Sequence, residues 1–215
     1  MKLISLNVGR PRLVVWDGQS VSTGIYKTPV EGRVMLRALN LDGDRQADLT
    51  VHGGRTKAAY VYPAEHYDYW RGELPGVDLP WGTFGENFTT EGLDESAVNI
   101  GDRFRLGAAE VMVTEPRMPC YKLGIKFGRM DMLKRFLASG RTGFYVSVER
   151  EGEVGAGDEF ELLRRDENNV TVADIVRLYA RGKGDFELMR RAVAVEALPE
   201  KWRDHFGRQL SGGNV

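Results

Sequence analysis

The sequence predicts a mainly β fold, a barrel or a sandwich with a few short helices, followed by a small C-terminal domain of three helices (α+β overall). Short apolar runs separated by glycine turns occupy the first three quarters of the chain, which has 26 glycines among 215 residues. Beyond residue 165 the apolar side chains recur instead with the period of a helix. We therefore predict a β domain over residues 1–165 and a three-helix domain with a disordered tail over residues 166–215.

The predicted strands are apolar runs that end at glycine, proline or an Asp-Gly pair. They cover residues 2–8, 33–39, 58–62, 103–106, 110–114, 144–148 and 159–163. The runs at 103–106 and 110–114 flank Gly107, so we expect them to form a hairpin. We expect the runs at 144–148 and 159–163 to pair with each other around the glycine-rich segment between them.

Two helices are predicted within the β domain. Residues 63–70 begin with a proline, which is tolerated at the first position of a helix. Residues 130–137 place apolar side chains on one helical face, and Gly140 then supplies a stop.

The C-terminal segment opens with a helix-start signal. Thr171 and Asp174 have the spacing of a capping box, in which each side chain accepts the other residue's backbone N–H. Three apolar stripes follow, formed by Val172, Ile175, Val176 and Tyr179, by Phe186, Met189 and Val193, and by Leu198, Trp202 and Phe206. Because three short helices barely bury a core of their own, we expect them to lean on the β domain.

Composition and charge exclude several classes of protein. The net charge of −1 lacks the basic footprint of a protein that binds a nucleic acid duplex. No apolar run approaches the roughly 18 residues of a membrane-spanning helix, and the first residues lack the pattern of a signal peptide. The single cysteine excludes an intrachain disulfide and fits a reducing compartment. We expect a cytoplasmic protein that binds neither membranes nor duplexes.

The single cysteine, Cys120, is the first candidate for chemistry. Arg117 and Lys122 lie close to it in sequence, and nearby cations favour the thiolate that attacks electrophiles or binds metals. Pro116 and Pro119 restrict the segment, so a ligand there would be preorganised. The alternative is a buried cysteine that only packs, which is the commoner role of a lone cysteine.

A second candidate region spans residues 42–57 and combines basic side chains with adjacent glycines. Arg45, His52, Arg55 and Lys57 surround Gly53 and Gly54, whose backbone N–H groups suit an anion nest. The alternative is a solvated turn. In a third region Glu86 and Asn87 are candidates for a polar cluster at a barrel mouth, the alternative being a turn that leads into a strand.

Four motifs together resemble those of MOSC domains, and they occur in the family's order. They are H-G-G-R-T-K-A-A-Y at 52–60, F-G-E-N-F-T-T-E-G-L at 84–93, P-R-M-P-C-Y-K-L at 116–123 and T-G-F-Y-V-S-V at 142–148. The likeness covers about residues 1–165, and the helical tail resembles the three-helix domain of YiiM-like proteins. The resemblance implies a MOSC-type β-barrel that binds a molybdenum cofactor of the molybdopterin type, and pyridoxal phosphate is not expected.

The resemblance also implies roles for individual residues. The cysteine that matches the family's molybdenum ligand is Cys120, which is therefore the candidate metal ligand and catalytic residue. The candidate cofactor-binding residues are Arg45, His52, Gly53, Gly54, Arg55, Lys57, Glu86, Asn87, Arg117, Lys122 and Arg141.

The implied activity is the reduction of N-hydroxylated compounds, such as N-hydroxylaminopurine, to amines, which is a detoxification reaction. The sequence has no G-x-G-x-x-G fingerprint, so we expect a separate flavoprotein reductase to donate the electrons. We hypothesise that the three-helix tail docks this partner or covers the pocket. A homodimer is a candidate assembly of the protein. Two alternatives stay open: a non-enzymatic carrier or sensor of the cofactor, and a thiol enzyme that uses Cys120 directly.

Overall fold

A computed structural model of the chain describes residues 1–48, 53–181 and 185–212. Its strands are β1 (Lys2–Val8), β2 (Arg12–Trp16), β3 (Gln19–Thr23), β4 (Thr28–Pro29), β5 (Arg33–Leu36), β6 (Ala59–Pro63), β7 (Phe88–Glu91), β8 (Arg103–Leu106), β9 (Ala109–Pro116), β10 (Phe144–Arg150), β11 (Gly152–Gly155) and β12 (Phe160–Arg164). Its helices are α1 (Glu65–Glu73), α2 (Tyr121–Phe127), α3 (Met132–Ser139), α4 (Val172–Arg181), α5 (Phe186–Ala194) and α6 (Glu200–Gly212), and a 3-10 turn spans Arg55–Lys57.

Eight strands form one mixed sheet, and its edge strand β12 lies against the start of β1. Their order is β12-β8-β9-β10-β6-β7-β1-β4, and neighbours are antiparallel except for the parallel pair β6 and β7. Leu3 N of β1 donates to the carbonyl of Asp158 at 2.8 Å, and Phe160 N of β12 donates to the carbonyl of Met1 at 2.9 Å. These main-chain hydrogen bonds join residues around the start of β1 to residues around the start of β12. The sheet is therefore strongly curved and has a barrel-like form. The predicted class, mainly β with C-terminal helices, is confirmed.

The strand positions follow the prediction more closely than the pairings do. The hairpin of β8 and β9 is confirmed, with Leu106 opposite Ala109. The predicted pairing of 144–148 with 159–163 is wrong, because β10 lies between β6 and β9 while β12 pairs with β8. The intervening segment forms β11, which pairs with β5 outside the main sheet and carries the chain across to β8.

One hairpin was not predicted, although the sequence holds a signal for it. Strands β2 and β3 pair around Asp17 and Gly18, which have positive φ angles of 50° and 71°. An Asp-Gly pair with two positive φ angles is typical of a two-residue hairpin turn. Strand β5 is also shorter than the predicted run at 33–39, since it ends at Leu36.

The short helices near the sheet begin later than predicted. Pro63 is the last residue of β6, so the first helix starts at Glu65 rather than at the proline. Helix α3 spans Met132–Ser139 rather than 130–137, and Gly140 ends it with a φ of 68°.

Helix α2 was not predicted at all. Its seven residues contain Gly124, a poor helix former. A Cβ on Gly124 would lie 2.5 Å from the sulfur of Met130, so the glycine permits close approach of the segment that leads into α3.

The main hydrophobic core is continuous between the sheet and the C-terminal helices. Val113 of β9 and Phe144 of β10 belong to the same cluster as Ile175, Trp202 and Phe206 from the helices. The helices therefore lean on the sheet as predicted. A second, aromatic cluster packs beneath α1 and α3 and includes Tyr60, Tyr62, Tyr67, Trp70, Phe84 and Phe136.

The start of α4 is a capping box, as predicted. Thr171 Oγ1 accepts from Asp174 N at 3.0 Å, and an Asp174 carboxylate oxygen accepts from Thr171 N at 3.1 Å. Two residues assigned to apolar stripes lie instead at the surface, since Tyr179 is 45% exposed and Phe186 is 40% exposed. The neighbouring Leu178 is buried in place of Tyr179.

The chain's last residues only partly test the predicted disordered tail. Ser211 and Gly212 belong to α6, whereas 213–215 lie outside the described residues. Among the residues that the structure describes, no helix has the length and apolar character needed to cross a membrane.

Candidate functional site

A cavity forms where segments from distant parts of the sequence meet. It is lined by Thr23, Gly24, Ile25, Lys27, Asp44, Arg45, Gln46, Ala47, Lys57, Tyr60, Phe84, Gly85, Asn87, Arg117, Met118, Cys120, Lys122 and Tyr145. Six of the residues singled out in the sequence lie together here: Arg45, Lys57, Asn87, Arg117, Cys120 and Lys122. The fold thus gathers the thiol and four basic side chains around one space.

Cys120 lies at the junction between an irregular segment and helix α2. Its backbone is extended, with φ −121° and ψ 166°, and its carbonyl accepts from Leu123 N at 2.9 Å in the first turn. The side chain is half-buried and lines the cavity. The segment before Cys120 is irregular, as predicted, but a helix begins directly after this residue.

Arg117 supplies a buried positive charge beside the thiol. It is 5% exposed, and its guanidinium lies 5.0 Å from the ring centre of Phe136 and 5.6 Å from that of Tyr60. Its Nη1 is buried and has no hydrogen-bond partner among the described residues. A buried cationic N–H without an acceptor is costly, so the arrangement favours an anionic ligand in the cavity.

Two tyrosines form an aromatic wall of the cavity. The rings of Tyr60 and Tyr145 are 5.4 Å apart, and the Tyr60 hydroxyl donates to the carbonyl of Thr142 at 2.7 Å. Burial raises the pKa of Tyr145 to about 12, although Arg117 opposes this rise. The phenol is therefore neutral at physiological pH, and the wall offers a flat surface with polar edges to a planar ligand.

Three further basic residues differ in exposure. Lys122 is buried, Lys57 is half-buried and Arg45 is exposed. Burial lowers the pKa of Lys57, and the nearby carboxylate of Glu115 opposes this effect. Positive charge therefore extends from the interior of the cavity to its rim.

The cavity lining also includes a buried ion pair that no sequence motif indicated. Lys27 and Asp44 form a salt bridge with side-chain exposures of 8% and 1%. Burial lowers the pKa of Lys27, and Asp44 opposes the shift. Asp44 also accepts from Gly9 N at 2.8 Å and from the Asn87 amide at 3.0 Å. The negative charge of Asp44 is thus compensated within the fold.

The side chains of Asn87 and Glu86 mainly form hydrogen bonds with neighbouring segments of the fold. The Asn87 side-chain oxygen accepts from Tyr60 N at 3.1 Å, while its nitrogen donates to Asp44. Glu86 is fully buried, does not line the cavity, and accepts from Gly82 N at 2.8 Å and Phe84 N at 3.1 Å. Burial raises the pKa of this carboxyl.

The remaining residues singled out in the sequence lie elsewhere. Arg141 stacks on the ring of Tyr69 at 4.1 Å and is not part of the cavity lining. Gly53, Gly54 and Arg55 precede Lys57 without lining the cavity. His52 lies outside the described residues, so its place in the site stays a prediction.

The cavity could hold an anionic ligand that carries a soft metal. A thiol is a ligand for soft metals, and the guanidinium and ammonium groups suit phosphate or oxo groups. The unpartnered N–H of Arg117 is the observation that such a ligand would explain. Fold and site together define a barrel-like β domain with a cavity lined by basic side chains and a half-buried thiol, followed by a C-terminal helical unit.

The chain belongs to the MOSC domain family, since the family model matches residues 48–161 and a model of the YiiM-like 3-alpha helix domain matches residues 170–213. The YflK protein of Bacillus subtilis is 44% identical over 204 residues, which cover 95% of this chain and 92% of that protein. A Gibberella moniliformis protein named "Reductase" is 34% identical over 179 residues, which cover 82% of this chain and 32% of that longer protein. The crystal structure of YiiM from Geobacillus stearothermophilus superposes with a TM-score of 0.81 at 32% identity and covers 97% of this chain and 98% of its own.

Proposed function

We propose that the cavity binds a molybdenum cofactor of the molybdopterin type and that Cys120 is the protein ligand to the metal. The observation that carries this proposal is the buried, unpartnered Nη1 of Arg117 beside the thiol. A neutral ligand would leave that charge uncompensated, whereas a phosphate or an oxygen on the metal would accept from it. Lys122 and Lys57 would neutralise further negative charge, and the tyrosine wall would contact the pterin.

We further propose that the protein reduces N-hydroxylated compounds to amines. The reaction R–NH–OH + 2 e⁻ + 2 H⁺ → R–NH₂ + H₂O breaks the N–O bond, and the oxygen leaves as water. The cofactor, when bound, supplies the two-electron redox chemistry of this change. The chain's own residues bind and orient: Cys120 holds the metal, while Arg117 and Lys122 hold the anionic groups near the thiol. The family and the reductase-named relative support an oxidoreductase, and the N-hydroxylated substrate is our specific proposal.

The electrons would come from a separate flavoprotein reductase, because the sequence lacks the glycine fingerprint of a dinucleotide-binding fold. We expect a cytoplasmic location, because a chain with one cysteine and no intrachain disulfide fits a reducing compartment.

Metal analysis of protein from a molybdate-fed host tests the cofactor proposal. The wild type should carry about one molybdenum per chain, as expected for one metal at a single thiol site. Cys120→Ser should lose the metal while unfolding at the same temperature as the metal-free wild type. A wild type free of molybdenum that still reduces N-hydroxylaminopurine would overturn the proposal.

Turnover separates the proposed enzyme from the two alternatives. With a reduced viologen dye as donor, the metal-loaded protein should convert N-hydroxylaminopurine to adenine. Stable metal loading without turnover would identify a carrier or sensor of the cofactor. Turnover by metal-free protein that requires Cys120 would identify a thiol enzyme.

A further inference from the structure

Residues 117–141 carry a concentrated positive charge. They include Cys120 and the helices α2 and α3. Their basic side chains are Arg117, Lys122, Lys126, Arg129, Lys134, Arg135 and Arg141. Asp131 is the one carboxylate of the segment, and it pairs with Arg129 at 2.6 Å. Because the whole chain has a net charge of −1, positive charge is concentrated in the part that supplies the thiol.

The basic surface continues onto the start of β2. Arg12 is exposed, and its guanidinium lies 3.5 Å from the ring centre of Tyr26. The ammonium of Lys126 lies 5.4 Å from the same ring centre. Burial lowers the pKa of Lys126 to about 8, Glu86 opposes this shift, and the positive charges of Arg12 and Arg117 add to it. The cations of β2 and α2 are therefore close enough in space to act on one another.

Helix α2 lies between this basic cluster and two exposed apolar side chains. Gly124 and Lys126 are two positions apart, which places them on opposite sides of the helix. Met130 packs at Gly124, since a Cβ on that glycine would lie 2.5 Å from the Met130 sulfur. Met130 is 45% exposed, and Tyr121, the residue after Cys120, is 47% exposed. We call this surface the α2 face, and it comprises Arg12, Tyr121, Lys126, Arg129 and Met130.

A ligand inside the cavity does not account for the α2 face. Arg12, Lys126 and Arg129 are not part of the cavity lining, whereas Arg117 and Lys122 are. Like charges held together repel one another and weaken a fold unless a group of opposite charge binds there. Exposed tyrosine and methionine are typical of surfaces that bind other proteins. The α2 face thus has the charge and the apolar side chains that suit an acidic protein.

We propose that the α2 face docks an acidic, flavin-carrying electron donor at the mouth of the cavity. The inference rests on the proposed function, in which the group bound at Cys120 receives electrons from a separate protein. Electron transfer between proteins requires the two redox centres to come close, and Tyr121 is the exposed residue next to Cys120 in the sequence. Interfaces of redox partners are small and are oriented by opposite charges. Docking at α2 would replace the C-terminal helices as the expected contact with the donor.

Binding of flavodoxin to the metal-free full-length protein tests the α2 face. Flavodoxin is a small acidic protein that carries FMN, and cytochrome c is a small basic redox protein that serves as the control. In calorimetric titrations at about 0.01 M salt, flavodoxin should bind and cytochrome c should not. The affinity for flavodoxin should fall at least about threefold at about 0.15 M salt, because the Debye length shortens from about 30 Å to about 8 Å.

Charge variants locate the binding surface. At low salt, Arg12→Glu should weaken flavodoxin binding about three- to tenfold, and Arg12→Gln should have a smaller effect in the same direction. Tyr121→Ser should also weaken binding. Arg190→Glu makes the same charge change at an exposed residue of α5 and should leave the affinity unchanged. Thermal unfolding of each variant checks that it is folded.

Three results would overturn the docking proposal. They are the absence of flavodoxin binding at low salt, an unchanged affinity in Arg12→Glu, and an equal loss of affinity in Arg190→Glu. Tighter binding of a single-stranded oligonucleotide, or of phosphatidylglycerol vesicles, than of flavodoxin would also overturn it and would identify a different class of partner.

The measurement does not depend on the cofactor, because the protein is metal-free. Flavodoxin binding with the expected charge dependence, in a protein that never takes up molybdenum, would support the docking surface while the cofactor proposal fails. Normal molybdenum loading without flavodoxin binding would overturn the docking proposal alone.

Discussion

The guanidinium of Arg117 is buried between two aromatic rings, and one of its nitrogens has no acceptor among the described residues. Such a group weakens the fold when the cavity is empty, because its desolvation is not fully offset. A buried guanidinium with an unpartnered nitrogen is better explained by ligand binding than by a contribution to the stability of the fold. Its neighbours Phe136 and Tyr60 could pack equally well against an apolar side chain.

Arg117→Met should therefore separate binding from stability. We expect molybdenum content to fall at least about tenfold, since a charge-assisted hydrogen bond is lost. The free energy of unfolding of the metal-free protein should stay within about 1 kcal/mol of wild type or rise. Metal analysis and urea denaturation check the two expectations. A destabilised variant with normal metal content would show that Arg117 is structural.

Lys126 is a half-buried cation, and it predicts a pH dependence of stability. Its ammonium donates to the carbonyls of Gly82 at 2.8 Å and Ile25 at 3.2 Å, and burial lowers its pKa to about 8. Between this value and the ordinary lysine pKa near 10.5 the unfolded state binds more protons, so stability rises with pH in that window.

The comparison of wild type with Lys126→Met isolates this contribution. The difference between their free energies of unfolding should shift in favour of wild type by about 2 kcal/mol from pH 8 to pH 10. Urea denaturation at several pH values measures the shift. Lys134→Met, which removes an exposed lysine, should show no such trend. A flat difference for Lys126→Met would mean that its ammonium is not desolvated.

At the scale of secondary structure, Gly124 controls how closely α2 approaches the segment before α3. A Cβ there would meet Met130 Sδ at 2.5 Å, Met130 Cα at 3.2 Å and Leu133 Cδ1 at 3.2 Å. Since α2 begins directly after Cys120, a shift of this helix would also move the thiol.

Gly124→Ala should destabilise the protein by about 1–3 kcal/mol, because backbone atoms of the neighbouring segment must move. Gly207→Ala on α6 is the matched control, since a Cβ there has no neighbour within 4 Å. That variant should be stabilised by roughly 0.5–1 kcal/mol through helix propensity alone. Guanidinium denaturation of both variants tests the contrast, and equal effects would show that the approach at Gly124 is not tight.

Sequence patterns located the elements but not their partners. Local sequence patterns identified β1, the hairpin of β8 and β9, and the capping box of Thr171, because each depends on residues close in sequence. The pairing of β12 with β8 depends on how β11 redirects the chain, which no local pattern encodes.

The site shows the same division between local and long-range information. Cys120, Arg117 and Lys57 were found by residue type, whereas the pair of Lys27 and Asp44 joins two irregular segments and has no periodic signal. The sequence could not show whether Tyr60 and Tyr145 line the cavity or only pack in the core, because both rings also pack against aromatic rings.

Over the whole molecule, the sheet and the C-terminal helices share one hydrophobic core. Ile175 and Phe206 are fully buried in the same cluster as Val113 and Phe144 of the sheet. Glu115 adds a polar link, since a carboxylate of β9 is bonded to two residues of α6. Neither part can separate without exposing apolar surface and leaving this carboxylate without its donors.

We therefore expect the chain to unfold in one cooperative transition rather than in two steps. Hydrogen exchange measured at increasing denaturant should show the amides of β9 and α6 losing protection at the same concentration. For the same reason, deletion of 166–215 should give a β domain that does not fold, so point variants in α6 test the helices better than truncation does. If the amides of α6 lost protection at a much lower denaturant concentration than those of β9, the helices would be a separable unit. Their contact with Glu115 would then break before the sheet unfolds.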